Sequence, residues 1–212
     1  MCLKTEGVTI KETKTNKIVS NKAEVMMELT KTILDGTIKA FNLKGMKFTM
    51  DDIASILGMS KKTIYTVFRT KDELLLAMVD YVFDSIKDSE REIIENTEMT
   101  TIEKVKSILG VLPEGYRDID FGQLYLLKDK YPKIYEQVEN RLETGWDATI
   151  VLLEQGIREG VIRPIKIPIM KIMFESSLEQ FFQRDVLVRH KISYKEALDQ
   201  VVEIFIDGII VH

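Results

Sequence analysis

The sequence predicts an all-α protein, and three observations carry that prediction. Apolar residues recur at three- and four-residue spacing almost throughout, the period of helices with one buried face. Alternating β-branched runs, the mark of half-buried strands, are scarce. All four prolines (Pro113, Pro132, Pro164, Pro168) lie in the second half of the chain, so the first half carries no proline break.

The elements follow in order. Residues 1–20 show no apolar period and read as a flexible arm. Met26, Leu29, Ile33, Leu34, Ile38 and Phe41 form one stripe, a first helix with fraying or a break expected near Thr30 and an end at Lys44-Gly45, a basic last turn followed by glycine. Thr49 then caps a short helix whose buried face is Ile53, Ala54 and Leu57; Asp52 stands where a capping box has Glu, and Gly58 ends the helix. Ser60 caps the next, Lys61 to Phe68, and Thr70 a longer one from Lys71 to about Ser89. Beyond a helix over Ile102–Leu112 the sequence predicts a break at Pro113-Glu114-Gly115, a short helix from Phe121 to Asp129, and one long helix from Pro132 to about Arg158, closed by Gly160. Pro168 opens a helix reaching Val188. Ser193 and Glu196 read as a full capping box for the last, Tyr194 to about Gly208, and the total is about nine helices.

At 212 residues the chain has room for one or two domains. One cysteine, Cys2, excludes an internal disulfide, and the two histidines, His190 and His212, have no metal-ligand spacing to each other or to Cys2. No metal or cofactor is expected. No apolar run approaches the ~18 residues of a membrane span, and no signal-peptide core opens the chain, so a cytoplasmic protein is expected. Phosphate-cradle and nucleophile-elbow motifs are missing, and no catalytic residues are assigned.

The formal charge is −4, from 34 acidic and 30 basic residues. That average conceals an asymmetry. Residues 1–20 carry net +2, residues 21–72 net +3, and residues 73–212 net −9. A basic front joined to an acidic body suggests one surface for an anionic partner.

The two short helices, Thr49 to Leu57 and Ser60 to Phe68, form a helix-turn-helix pattern with Ala54 small at the crossing, Gly58 in the turn and Ile64 plugging the space between helices. That triplet alone is equally compatible with an ordinary helical corner. The longer stretch from Phe48 to Leu75 is more specific. Gly45 before Thr49, Ile53-Ala54, Gly58-Met59-Ser60, Thr63-Ile64-Tyr65, Phe68, and Lys71 followed by Asp72-Glu73-Leu74 together resemble the N-terminal domain of the TetR (tetracycline-repressor-type) family of bacterial transcription regulators. The motif resemblance covers about residues 30–75. It implies a DNA-binding domain over 21–69 and a helical effector-binding and dimerisation domain over 70–212.

A helical wheel shows which side chains can reach DNA. With Ile64 inward, Phe68 lies about 40° away and is also inward, while Lys62, Thr66 and Arg69 lie at about 160°, 200° and 140°. Lys62, Thr63, Tyr65 and Thr66 therefore border the exposed face. Lysine can donate to guanine O6 or N7, and threonine can offer its methyl or hydroxyl, so Lys62 and Thr63 are the base-reading candidates. Family members often carry Gly where Lys62 stands, and this departure adds either a base or phosphate contact or a merely solvated lysine. Thr49 can hold a phosphate at the positive end of its helix, or serve as a cap alone. The resemblance implies phosphate contacts from Tyr65 and Lys71, with Lys61 beside them; packing or simple solvation are their other readings.

The resemblance further implies a homodimer binding a palindromic double-stranded operator through two reading heads, paired by helices at about 168–188 and 194–208. The apolar richness of both segments is compatible with that. It also implies release by a small-molecule effector, in a pocket for which Met78, Tyr81, Phe121, Tyr125, Trp146, Phe174 and Gln180 are candidates on size or a polar handle. The expected function is a ligand-responsive repressor. An activator or ligand-independent regulator of the same fold is the alternative, and an all-α enzyme or interaction module with an architectural helix-turn-helix is a further one.

Overall fold

The computed structural model describes residues 6–113 and 127–211. Among these the protein is built of helices, in the order α1 (Glu6–Lys44), a single 3-10 turn (Gly45–Lys47), α2 (Met50–Leu57), α3 (Lys61–Tyr65), α4 (Lys71–Glu95), α5 (Thr101–Leu109), α6 (Leu127–Lys130), α7 (Pro132–Glu143), α8 (Asp147–Glu159), α9 (Ile167–Gln183), α10 (Val186–His190) and α11 (Tyr194–Ile209). No strand occurs among the described residues; one isolated antiparallel bridge joins Ile162 to Ile210. The all-α class expected from periodicity is what the structure has.

Differences from the sequence reading have identifiable causes. Helix α1 begins at Glu6, so residues 6–20, expected as an arm, continue the first helix without an apolar stripe of their own. Extending a formed helix needs no new nucleus, which is why a stripe is not required. No break occurs at Thr30, whose hydroxyl donates to Met26 O at 2.8 Å within the helix. The single long helix predicted from Pro132 is two, α7 and α8, because Gly145 takes a left-handed φ of 79° between them. The helix predicted from Pro168 to Val188 is likewise divided, at Arg184-Asp185. Helix α4 runs past Ser89 to Glu95, and α3 stops at Tyr65 rather than Phe68, the chain continuing as turn. The helix predicted over Phe121–Asp129 lies mostly outside the described residues; α6 covers its end.

Caps fix most boundaries. Thr49 and Asp52 form a full capping box, stronger than the sequence suggested, and Thr100 with Glu103 forms another that the sequence reading missed. At Ser193 only half the expected box forms, the Ser193 side chain accepting from Glu196 N at 3.1 Å.

Helices α1 to α3 pack around Ile33, Phe41, Phe48, Ile53 and Ile64, all buried. The core is continuous with that of α4, α5, α7, α8, α9 and α11, through Leu74, Leu75, Val105, Leu153, Phe174 and Leu198. Edge-to-face contacts of Phe174 with Trp146 (5.8 Å) and Phe205 (5.5 Å) join α9 to the start of α8 and to α11. At its far end α11 is held by Arg163 N donating to Ile209 O and Val211 N to Val161 O, which clamps the C-terminus to the α8–α9 connector.

A candidate nucleic-acid interface and an internal cavity

The α2–turn–α3 unit has the geometry its sequence implies. Gly58 closes α2 in the left-handed region at φ 63°, its N–H returning to α2 carbonyls. Ala54 and Ile64 are buried, Phe68 packs inward, and Lys62, Tyr65, Thr66 and Arg69 are exposed as the wheel predicts. Thr63 is half-buried, and its hydroxyl is 2.8 Å from the Ser60 hydroxyl, which itself caps α3 by accepting from Thr63 N. Thr66 donates its hydroxyl to Thr63 O at 2.6 Å and keeps its methyl for other contacts. One residue the sequence reading missed holds this unit in place. Gly36 on α1 lies so close to α2 that a Cβ there would come within 2.6 Å of Leu57 Cγ. The signal was a glycine inside an otherwise helical apolar pattern.

Charges around the unit are tied to the fold to different degrees. Lys62 is exposed and has no ion pair among the described residues, whereas Lys61 Nζ is 2.7 Å from Asp51 Oδ2, which raises the Lys61 pKa and offsets part of its charge. Lys71 sits at the start of α4, half-buried. Its ammonium donates to Met46 O and Phe48 O, both at 2.7 Å, and lies 4.2 Å over the Phe48 ring. Burial pushes its pKa down. Two of its three N–H groups are thus spent on the α1–α2 connection, and one remains for an outside acceptor. Lys71 joins the reading unit to α4.

Asp52 fastens the other side. It accepts from Lys44 Nζ at 2.6 Å and from Thr49 N at 2.8 Å and Oγ1 at 2.9 Å. Lys44, then Thr49, holds its carboxyl at about 2, below the usual 3.8. A depressed native pKa adds stability that is present above about pH 4 and disappears as pH falls toward 2. The Asp52→Asn variant is therefore expected to melt with a weaker dependence on pH between 5 and 2 than the parent, measured by circular dichroism. Identical acid dependence would remove Asp52 from this role.

A second feature lies behind α4. A pocket of about 170 Å³, partly open to solvent, is lined by α4, α5, α7, α8, α9 and α11, and its wall also includes Ile38 and Phe41 of α1 and Met46 of the 3-10 turn. Of the effector candidates, Met78, Trp146 and Phe174 line it. Tyr81 does not; its hydroxyl is spent on Asp35 Oδ1 of α1 at 2.9 Å. Gln180 is not in the wall either, being about 200° around α9 from the lining residue Leu178. Phe121 and Tyr125 lie outside the described residues. Lining residues that the sequence reading passed over include Phe83, Lys87, Glu90, Arg141 and Glu175. Burial of charged side chains is not visible in a hydropathy pattern. No cluster of His, Cys, Asp and Glu suited to a metal ion occurs among the described residues, and no helix there is long and apolar enough to cross a membrane.

A capped α2, a glycine turn, and a short α3 presenting lysine and threonine outward define a helix-turn-helix DNA-binding protein. Comparison with known proteins agrees. Residues 33–78 match the family described as bacterial regulatory proteins of the tetR family. Over 181 residues the chain is 30% identical to the uncharacterized HTH-type transcriptional regulator YvaF of Bacillus subtilis, covering 85% of this chain and 95% of that one. Solved TetR regulators from Haloarcula marismortui (19% identity, 87% of this chain and 100% of that one, TM-score 0.66) and Chloroflexus aurantiacus (16%, 89% and 100%, 0.63) share the fold. The chain belongs to the TetR family of bacterial transcription regulators.

Proposed function

We propose that the protein is a cytoplasmic homodimeric repressor whose two α3 helices enter successive major grooves of a near-palindromic operator, and that a small molecule in the cavity releases it. The observation that carries the reading is the course of α4. Its first residue, Lys71, holds the backbone of the reading unit, and its later residues Leu75, Met78, Val79, Val82, Phe83 and Ile86 form the cavity wall. A ligand that bound one arrangement of this wall better than the other would shift the spacing of the two heads, and DNA would reciprocally weaken the ligand. The division into a reading head over 21–69 and a body over 70–212 is part of this reading.

Lys62 and Thr63 are assigned to base edges. Thr49, Lys61, Tyr65, Thr66 and Lys71 are assigned to the backbone, Lys71 through its remaining N–H and Lys61 after exchanging Asp51 for a phosphate. Selecting bound genomic fragments with the pure protein would yield the operator. On it, Lys62→Ala is expected to cost about 1–3 kcal/mol and to relax preference at one base position. Equal loss on operator and unrelated DNA would move Lys62 to the phosphates. Transcription from the target promoter with and without the protein separates repression from activation.

Dimerisation is assigned to α9 and α11. Ile169, Ile172 and Met173 make one face of α9, each more than half exposed, and Ile204 on α11 is 69% exposed. One α11 turn beyond Ile204, a Cβ added at Gly208 would meet nothing within 4 Å. A partner helix can approach closely there. Such a surplus of apolar surface on two packed helices supports pairing with a second copy, over the ~1,200 Å² or more of a stable interface.

A further inference from the structure

Helix α1 leaves the body as it runs toward its N-terminus. Its C-terminal part is held there, with Ile38 and Phe41 in the pocket wall and Asp35 accepting from the Tyr81 hydroxyl of α4 at 2.9 Å. Gly36 abuts Leu57, the last residue of α2, so α1 passes the turn that joins α2 to α3. Before that point, residues 21–28 are all exposed. Three of them in succession, Val25, Met26 and Met27, are 63%, 43% and 69% exposed. Successive helical positions are about 100° apart, so most of the circumference is uncovered. The helix continues to Glu6, and at about 1.5 Å per residue its front, residues 6–28, extends about 35 Å past the packed part.

Charge along this front is segregated by face. Gly36 marks the side of α1 toward α2. With its position as zero, the helical period puts the register positions of Lys11, Lys14 and Lys22 at about 20°, −40° and 40°. The four glutamates of residues 6–28 fall about 80–120° to either side, with Lys17 among them. One face therefore carries three lysines and no acid, and it continues the face that packs on the reading unit. Lys11 and Lys22 are about 17 Å apart along the axis, so the row matches a partner whose charges repeat along a line. Duplex DNA is such a partner, with one negative charge per about 1.7 Å. Lysine, a point charge without a planar fork, suits phosphate oxygens.

We propose that the front of α1 is a second DNA-binding element, which sets Lys11, Lys14 and Lys22 against phosphates flanking the half-site read by α3 and adds affinity without sequence preference. This rests on the DNA-binding reading above and widens the duplex that each protomer contacts. DNA is the occupant because the lysine face continues that of a head already docked on it, while the body, net −9 over residues 73–212, is repelled from the same polyanion. The direction is outward. Turned toward the two-fold axis, two helices of about 35 Å would meet between half-sites only about 34–36 Å apart. Turned away from it, each spans about ten base pairs at about 3.4 Å per step.

The test uses the full chain and two duplexes, the selected operator alone and the same operator with about ten added base pairs of arbitrary sequence on each side. The parent is expected to bind the longer duplex about tenfold or more tightly near physiological salt. The triple variant Lys11→Gln, Lys14→Gln, Lys22→Gln keeps good helix formers and should lose that advantage, with the slope of log affinity against log salt on the longer duplex shallower by about 2–3 per protomer. Removing three exposed charges from the body, by Lys130→Gln, Lys133→Gln and Lys166→Gln, should leave the advantage intact. An advantage that survives in the first triple variant, a loss equal on both duplexes, an equal loss in the second triple variant, or a changed oligomeric state of the first by sedimentation, which would assign the lysines to a protein contact, would each overturn the proposal. A parent that binds the operator yet ignores the added base pairs overturns it alone, whereas a parent that binds neither duplex overturns the regulator reading as well.

Discussion

Ile64→Ala is expected to lower stability by about 2–5 kcal/mol and to eliminate sequence-specific DNA binding, an effect out of proportion to the three carbon atoms removed. Helix α3 has only five residues, Lys61–Tyr65, too few to be stable alone. Its position rests on the Ser60 cap and on one fully buried side chain, Ile64. Truncation leaves a cavity under the helix that carries Lys62 and Thr63. Since a domain is stable by about 5–15 kcal/mol, the loss is a large share of the total. Urea denaturation with operator binding measured below the unfolding transition separates the two effects. A variant that kept operator affinity while losing stability would show that α3 is positioned by something other than Ile64. Thr66→Ala, which removes an exposed hydroxyl bonded to Thr63 O and one methyl, is the control for stability and should change it little.

The paired substitution Ile172→Glu, Ile204→Glu is expected to produce a folded monomer. Both side chains are more than half exposed in the single chain, so the glutamates cost little there, whereas in a dimer they would bring four buried charges together. Operator affinity should fall by about 10²–10⁴, because the second head loses the effective concentration that linkage to the first provides. The net +3 of residues 21–72 is modest for one head, which is why the loss should be large. Analytical ultracentrifugation gives the oligomeric state and anisotropy the affinity. An unchanged dimer would place the interface on another face.

Legibility differed between the two halves for physical reasons. The head could be read from sequence because its boundaries depend on local chemistry: Thr49, Ser60 and Thr70 cap by bonding backbone three residues away, and Gly58 turns by lacking a Cβ. Ile64 and the exposed face of α3 followed from the helical period alone. In the body, Gly145 split a predicted helix although a lone glycine inside an apolar pattern is often tolerated. Met78, Trp146 and Phe174 lie in the pocket wall, but Tyr81 was diverted to Asp35 on a distant stretch of sequence, and Lys71 to the carbonyls of Met46 and Phe48. Partners separated by 20 to 50 positions leave no periodic trace. Glu175 was missed for a different reason, since a glutamate with Lys171 four residues earlier looks like a solvated helix pair.

The salt dependence of binding to a selected genomic fragment, compared with a scrambled fragment of equal length, tests the central claim most directly. A helix-turn-helix reader is expected to bind the selected fragment at least about 10³ more tightly near physiological salt, with log affinity falling linearly against log salt as counterions leave the phosphates. Equal affinity for the two fragments, or no DNA binding even at low salt, would contradict it and leave the α2–α3 unit a purely architectural feature.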